Sequence, residues 1–194
     1  MQISEKHMAK IIVSEWISLD GVFDAGTMDQ WYNAYHTDER GEYIKEGILS
    51  AGAFLLGRTT YEMLWPYWSS QKNNEMGVAD KLNKGHKYVV SSTLKKAEWS
   101  NSTIIDKSPL DAIVALKKQV TGDLFIMGSS ILVQSLMAAK LIDEYRFLVH
   151  PNIMGNGRRF FREEMPVAHL ELVKTQTFGL GVLQLTYRPG SLPK

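Results

Sequence analysis

The chain has no cysteine among its 194 residues. This absence excludes disulfide bonds, a thiolate nucleophile and any metal site with cysteine ligands. Because structural disulfides belong to oxidising compartments, a cysteine-free chain is typical of the cytoplasm, and we expect a cytoplasmic protein. The five histidines show none of the spacings that hold a metal ion, so no metal site is predicted.

An excess of charge and a long apolar run are also missing. The 22 basic and 21 acidic side chains leave a formal net charge of +1, so no basic field is present to hold nucleic acid or an anionic membrane. No stretch approaches the ~20 apolar residues of a membrane-spanning helix. Residues 1–10 are polar and lack the apolar segment of a secretion signal. We therefore expect neither nucleic acid nor membrane as a partner, and we expect residues 1–8 to be a disordered or vector-derived start.

The rest of the composition, 44% apolar and 22% charged, is that of an ordinary globular protein. The length predicts a single domain over residues 9–190. Strand-like and helical segments first alternate, and the chain then ends in consecutive strands, which predicts a mixed, mainly parallel α/β sheet with an antiparallel edge. The predicted strands are 10–17, 53–56, 87–92, 123–127, 143–150, 168–177 and 183–188, the last two forming a hairpin. The predicted helices are 38–50, 59–64 (ended by a proline at 66), 78–84, 108–122 and 129–140, and a long loop covers 22–37.

Residues 54–63 (FLLGRTTYEM) carry the strongest functional signal. An apolar strand turns there into a helix through Gly57 and Arg58, and Thr59 and Glu62 have the S/T-x-x-E spacing of a capping box. Unpaired N–H groups at the helix start, the positive end of the helix dipole and the arginine fork all favour a phosphate. The same residues fit an ordinary capped helix with a surface arginine, and this segment alone does not decide between the two.

Two further strand ends carry residues of the same kind. Ser91 and Ser92 follow one strand, and residues 128–130 (GSS) turn another strand into a helix. Because ligands of open α/β sheets bind beyond the carboxyl ends of the strands, the three ends together predict a ligand with two or more phosphate groups, such as a dinucleotide. A G-x-G-x-x-G segment and a P-loop are both absent, so neither of those nucleotide sites is expected.

These segments resemble a known family. Residues 57–62 (GRTTYE) look like the cofactor motif of the dihydrofolate reductase fold, and residues 89–92 (VVSS) and 125–130 (FIMGSS) look like its next two cofactor segments, in the same order. Residues 18–21 (SLDG) and 150–157 (HPNIMGNG) resemble one branch of that fold. This branch is the reductase domain at the C-terminus of the bifunctional riboflavin-biosynthesis enzyme, the RibD C-terminal domain, with its stand-alone relatives.

The resemblance covers roughly residues 9–188. It implies a dihydrofolate reductase-like three-layer fold, with helices on both faces of the sheet and an antiparallel C-terminal edge hairpin. It also implies an NADPH-dependent reductase of a small nitrogen heterocycle, similar to the 5-amino-6-(5-phosphoribosylamino)uracil reductase of riboflavin biosynthesis. A pterin or dihydrofolate-type reductase and a non-catalytic nucleotide-binding module remain alternatives. A homodimer is expected from the resemblance alone.

The resemblance assigns the phosphate end of the cofactor to two segments. Arg58, together with the serines at 91–92, would hold the 2′-phosphate, which implies NADPH rather than NADH. Thr59 and Thr60, next to Gly57, would contact the pyrophosphate at the helix start.

The nicotinamide end is assigned to a third segment. Gly128, Ser129 and Ser130 would pass close under the pyrophosphate and the nicotinamide. Dihydrofolate reductases have a glycine-rich segment with a cis peptide bond there, so a cis bond between Gly128 and Ser129 is an open alternative.

A reductase of this kind needs a proton for the nitrogen beside the reduced carbon, from a carboxyl group or an ordered water. The resemblance points to an acid on the first helix, where Glu42 is nearest by spacing, with Asp38 and Glu39 one turn earlier. Asp20 is the other candidate because its turn would face the nicotinamide. A solvated helix face and a plain Asp-Gly turn are the alternatives for the two residues.

Two residues are candidates for the substrate. Trp31, in the loop that would border the nicotinamide pocket, could stack on a flat ring or form a dimer contact. Arg158, which follows the glycine turn at 155–157, could pair with a substrate phosphate or belong to a surface cluster with Arg159 and Arg162.

Overall fold

An eight-stranded sheet organises the chain in the computed structural model, which describes residues 8–192. Its strand order is β4-β3-β2-β5-β1-β6-β8-β7. The strands are β1 (Ile11–Ser18), β2 (Ala51–Gly57), β3 (Lys87–Val90), β4 (Ser102–Ile105), β5 (Asp123–Met127), β6 (Glu144–His150), β7 (Leu170–Thr177) and β8 (Leu183–Pro189).

The first six strands pair in parallel, and the last two add an antiparallel edge. This arrangement confirms the predicted mixed, mainly parallel sheet with a C-terminal hairpin. The central strand β1 lies between β5 and β6, with Ser14 in register with Met127 on one side and with Arg146 on the other. Strands that are buried on both faces read as continuous apolar runs, and β2 and β5 have that pattern.

Helices cover both faces of the sheet, as predicted. Side chains of α5 and α6 pack with alternate residues of β1, β2 and β5 into one core. Side chains of α2, α3 and α4 form a second core on the opposite face. The helices are α1 (Met28–Trp31), α2 (Asp38–Ser50), α3 (Arg58–Ser70), α4 (Ala79–Lys84), α5 (Pro109–Gln119) and α6 (Ser130–Ala138).

Three local predictions were wrong. Helix α3 continues through Pro66 to Ser70 rather than ending before the proline, because Trp65 and Trp68 pack against the core and keep the last turns in place. Strand β4 was not predicted, since it is a short edge strand with a half-exposed pattern. The segment 22–37 is not a plain loop but contains α1 and two 3-10 turns.

The expected disordered or vector-derived start falls on residues 1–8, of which 1–7 lie outside the described residues. Within residues 8–192, no helix is both long and apolar enough to cross a membrane.

Candidate active site

A cleft of about 750 Å³ opens at the carboxyl ends of β2, β3 and β5. Its volume is within the range of small-molecule sites. Eight of the nine predicted cofactor residues line it, which confirms that the three strand ends meet at one place. These eight are Gly57, Arg58, Thr59, Thr60, Ser91, Ser92, Ser129 and Ser130. Gly128 does not line the cleft.

Three helices begin at this cleft, and none of them is capped by a side chain. The N-cap residues Gly57 of α3, Ser108 of α5 and Ser129 of α6 make no side-chain hydrogen bond to their helices. By contrast, Thr37 of α2, away from the cleft, accepts the N–H of Arg40. Uncapped helix starts leave N–H donors and the positive end of the dipole available to an anion.

The predicted capping box of Thr59 and Glu62 is wrong. Helix α3 begins one residue earlier, at Arg58, so Thr59 lies within the first turn. Glu62 instead accepts a hydrogen bond from Nε of Arg58 at 2.8 Å. Nη1 of Arg58 donates to the hydroxyl of Thr93 at 2.7 Å. The guanidinium therefore stays on the half-exposed rim of the cleft, 46% exposed.

Hydrogen bonds between β2, α3 and β5 shape the floor of the cleft. The backbone N–H of Gly57 donates to the hydroxyl of Ser129 at 2.9 Å, and the N–H of Ser129 donates to the hydroxyl of Thr60 at 2.9 Å. Gly128 has a φ of 63°, and a Cβ there would come within 2.7 Å of the Thr60 hydroxyl. No cis peptide bond occurs within residues 8–192, so the bond between Gly128 and Ser129 is trans.

The serines after β3 differ in what they offer a ligand. The hydroxyl oxygen of Ser91 is buried and accepts the N–H groups of Thr93 at 3.2 Å and of Leu94 at 2.9 Å. Ser91 therefore stabilises the turn, and its oxygen is already used. Ser92 is exposed beside it on the cleft wall.

Asp20 is unsuited to the predicted role of proton donor. Its carboxylate accepts from the Ser18 hydroxyl at 2.6 Å and from the N–H groups of Met154 and Gly155 at 3.1 and 2.9 Å. These hydrogen bonds, the one from Ser18 first, lower the pKa of Asp20 to about 2. The side chain is thus ionised, and its hydrogen bonds hold the segment after β6 against the end of β1.

Glu42 is also excluded as the acid of this site. Its side chain is 63% exposed and pairs with Lys45 one turn later on α2 at 3.0 Å. The residue is absent from the lining of the cleft. The solvated-helix alternative is therefore the correct one for Glu42, because the inward face of α2 belongs to other residues, such as Ile44 and Ile48.

Sequence reasoning missed Glu15, a fully buried acid in the middle of β1. The side chain is 4% exposed, and burial raises the pKa of its carboxyl well above the usual value, although the N–H of Gly128 partly offsets this rise. Glu15 lies on the same face of β1 as Val13 and Ile17. Those two residues pack with the core that includes Leu132 and Phe23 of the cleft wall. A single acid in an apolar strand was the signal that could have revealed it.

Of the two predicted substrate residues, one is buried in the core and the other lines the cleft. Trp31 is 1% exposed, and its ring packs edge-on against His150 with centroids 5.3 Å apart. It is a core residue here and presents no face to the cleft. Arg158 does line the cleft, and its carbonyl accepts the N–H of Phe23, another lining residue, at 2.9 Å.

The model of the RibD C-terminal domain matches residues 9–184 of this chain, almost all of the part that forms the sheet and the cleft. The chain belongs to the RibD C-terminal domain family. Among curated proteins, YyaP of Bacillus subtilis (strain 168), which carries no assigned function, is 27% identical over 135 residues, covering 69% of this chain and 71% of YyaP.

Solved structures agree with this RibD C-terminal fold. A protein of Shewanella sp. PV-4 described as a riboflavin biosynthesis protein superposes with a TM-score of 0.71 at 18% identity, covering 94% of this chain and 99% of that one. Dihydrofolate reductase of Enterococcus faecalis, complexed with NADP(H) and RAB-propyl, gives a TM-score of 0.65 at 18% identity, covering 94% of this chain and 97% of that one. At these identities the likeness establishes the dihydrofolate reductase-like fold.

The residues of this RibD C-terminal domain fit a nicotinamide dinucleotide by the chemistry of their donors. Two guanidinium groups, Arg58 and Arg158, stand at different places on the cleft wall. Hydroxyl groups and three uncapped helix starts lie in the same cleft. Such a set suits several phosphates held at once. A cofactor of this kind supplies a hydride when it is bound.

Beside the cleft, this domain has a second unusual group of residues that the sequence did not reveal. Arg40 and His150 are both fully buried and lie in direct contact, with Nη1 of Arg40 at 2.7 Å from Nε2 of His150. The rings of Trp31, Tyr32 and Tyr35 pack around the histidine. Burial is the main cause that lowers the pKa of His150 to about 4.

Proposed function

We propose that this protein is an NADPH-dependent reductase of a small nitrogen heterocycle. The observation that carries the proposal is the single cleft in which Arg58, Ser92 and Ser129 meet beside three uncapped helix starts. A dinucleotide with a 2′-phosphate has the charge and length to use all of these donors. Membership of a reductase-domain family supports an oxidoreductase rather than another nucleotide-binding enzyme.

The family supports two substrate types. A pyrimidine of riboflavin biosynthesis, of the 5-amino-6-(5-phosphoribosylamino)uracil type, is the first, and Arg158 on the cleft wall would pair with its phosphate. A pterin of the dihydrofolate type is the second, and the structural likeness to a dihydrofolate reductase supports it at the level of the fold.

We assign the proton of the reduction to Glu15 rather than to Asp20. A carboxyl whose pKa burial raises well above its usual value holds its proton to a higher pH than an ordinary acid, whereas a carboxyl with a pKa of about 2 has lost its proton at neutral pH. Glu15 lies directly behind Gly128, and the two residues after Gly128 line the cleft. The step moves a hydride to the substrate carbon and this proton to the neighbouring nitrogen.

Nucleotide titration and turnover test the function together. NADPH and NADH are titrated by fluorescence, and the nicotinamide absorbance is then followed with dihydrofolate and with the ribosylaminopyrimidine. Tight NADPH binding, weaker NADH binding and turnover of one substrate are expected. Failure to bind either nucleotide would contradict the assignment of the cleft.

A non-catalytic nucleotide-binding module is the second candidate, and one observation favours it. Trp31 and Tyr32 fill the space beside His150, so this side of the strand ends offers no open substrate pocket. NADPH binding without turnover of either substrate would support the module.

Comparison of Glu15→Gln with Asp20→Asn tests which acid donates the proton. We expect Glu15→Gln to reduce turnover and Asp20→Asn to leave the pH profile of turnover between pH 5 and 8 unchanged.

We also propose a homodimer that forms through the C-terminal hairpin. Strand β7 is one of the two edges of the sheet, and it exposes the apolar side chains of Leu172 and Val173. An exposed edge strand with apolar side chains is a template for pairing with another copy. Light scattering on Leu172→Lys and Val173→Lys, each expected to be monomeric, tests the interface.

A further inference from the structure

Arg40, in the first turn of α2, is a fully buried cation with three of its five N–H donors unused. Its side chain is 0% exposed. Nη1 donates to the carbonyl of Tyr32 at 3.2 Å and to Nε2 of His150 at 2.7 Å. Nε and Nη2 are both buried and have no hydrogen-bond partner. Buried donors without partners are strongly unfavourable, and native proteins rarely keep them without a reason.

Arg40 has no anionic partner in the part of the chain that the structure describes. Nε2 of His150 must accept, because a guanidinium can only donate, so Nδ1 of His150 donates to the carbonyl of Ile17 at 3.2 Å. This tautomer is neutral. A buried charge without a partner is costly, and an anion that binds there would remove that cost.

The positions of the unused donors specify the shape of an anion that would fit them. Nε–H and Nη2–H lie along one edge of the planar guanidinium and point in the same direction. That edge matches the two oxygens of a carboxylate, which would accept both hydrogen bonds side by side. A backbone carbonyl or a water molecule would satisfy one donor at a time and would leave the charge unbalanced.

Flat rings lie next to this guanidinium. The guanidinium carbon lies over the Tyr32 ring, 4.2 Å from its centroid, and Trp16 stacks on Tyr32 with ring centroids 4.5 Å apart and planes 25° from parallel. Tyr32 belongs to the short turns between α1 and the second 3-10 turn and is partly exposed. Displacement of this one ring would uncover the guanidinium while Trp16 remained as a stacking surface.

We propose that Arg40 binds the carboxylate of a planar aromatic or heteroaromatic ligand, whose ring packs against Trp16 once Tyr32 is displaced. This inference goes beyond the proposed reductase function, because the site lies on the face of the sheet opposite to Glu15, next to the carboxyl end of β1. It adds a site for a flat anion that is separate from the substrate that Glu15 would protonate.

Benzoate is the probe, since it is a planar ring with one carboxylate, and benzamide is its uncharged match. Thermal unfolding and tryptophan fluorescence are followed at millimolar concentrations without any nucleotide. Benzoate is expected to raise the unfolding temperature and to change the fluorescence of Trp16 and Trp31, with benzamide at least about tenfold weaker. Inorganic phosphate is the third arm, and a larger effect of phosphate than of benzoate would overturn the carboxylate class.

Arg40→Met and Arg40→Lys show whether this residue is responsible. Arg40→Met removes a costly unpaired charge, so we expect an unfolding temperature equal to or above that of the wild type and no response to benzoate. A lower unfolding temperature or a retained response would overturn the proposal. If Arg40→Met does not fold, Arg40→Lys decides, because a lysine has charge but no two-donor edge and should bind benzoate at least about tenfold more weakly. Arg188→Met, on the exposed hairpin, is the matched control and should respond like the wild type.

The nucleotide-free design separates this inference from the proposed function. If the wild type binds NADPH and turns over a substrate but shows no response to benzoate, the Arg40 site alone is contradicted. A benzoate response without nucleotide binding would contradict the reductase and leave the Arg40 site standing.

Discussion

The hydroxyl of Ser129 accepts the backbone N–H of Gly57 at 2.9 Å, across the carboxyl ends of β2 and β5. The N–H of the same serine donates to the hydroxyl of Thr60 on α3, the helix that follows β2. The start of α3 and the start of α6 are thereby fastened together before any ligand binds. A site whose donors are already ordered loses little conformational entropy on binding, so this pair of hydrogen bonds prepares the cleft for its cofactor.

Gly128→Ala is expected to destabilise the protein more than Gly155→Ala does. Both glycines have positive φ values, 63° and 73°, where an L-residue costs about 1–2 kcal/mol. A Cβ at 128 would also meet the Thr60 hydroxyl at 2.7 Å, whereas nothing lies within 4 Å of a Cβ at 155. Overpacking adds about 1–3 kcal/mol at the first position. Urea unfolding of both variants measures the difference, and equal losses would show that Thr60 gives way freely.

Arg58→Ala is expected to weaken NADPH binding by about 1.5–3 kcal/mol, the scale of hydrogen bonds to a charged group. NADH lacks the 2′-phosphate, so its binding should barely change. Fluorescence titration of both nucleotides gives the answer. Arg188→Ala, which also breaks an exposed ion pair, is the control and should alter neither affinity. Equal losses for NADPH and NADH would show that Arg58 does not contact the 2′-phosphate.

Glu15→Gln is expected to stabilise the protein at neutral and mildly alkaline pH. Because burial raises the folded-state pKa of Glu15, the folded protein keeps a proton that the unfolded chain releases above pH 4.5. The stability of the wild type therefore falls as the pH rises above that value towards the folded-state pKa. A neutral amide of the same shape removes this dependence. Unfolding by urea across pH 4.5 to 8 tests it, and parallel curves for the two proteins would contradict a protonated Glu15.

The wild type is expected to lose stability on mild acidification through His150. The pKa of His150 in the folded protein, about 4, lies below the ordinary value of 6.5. Below pH 6.5 the unfolded chain therefore binds a proton that the folded protein does not bind. Stability falls between pH 6.5 and about 4, by up to about 3 kcal/mol. His150→Gln should lose this dependence. His169→Gln, at an exposed histidine, should keep it, and a loss of the dependence in that control would assign it elsewhere.

Local pattern was enough for most of the fold. The strand at 123–127 was predicted with its observed bounds, since a short buried run between a glycine and a Gly-Ser turn has few other conformations. The hairpin at the C-terminus was predicted because a glycine-bearing turn at 178–181 separates two strand-like runs. The edge strand β4 escaped because its alternation is weak, and Pro66 misled because one missing donor does not outweigh the packing of two tryptophans.

The sequence alone determined the sheet, its hairpin and the meeting of three strand ends, because hydrophobic periodicity and turn residues act between near neighbours along the chain. Tertiary structure alone decided which polar groups are buried and which lie in solvent. Glu42 and Glu15 are the same residue type, yet one lies in solvent and the other is buried behind Gly128. Arg40 meets His150 across 110 residues of chain. Burial and charge pairing depend on such distant contacts, and those contacts set the pKa of an acid and leave a guanidinium without its anion.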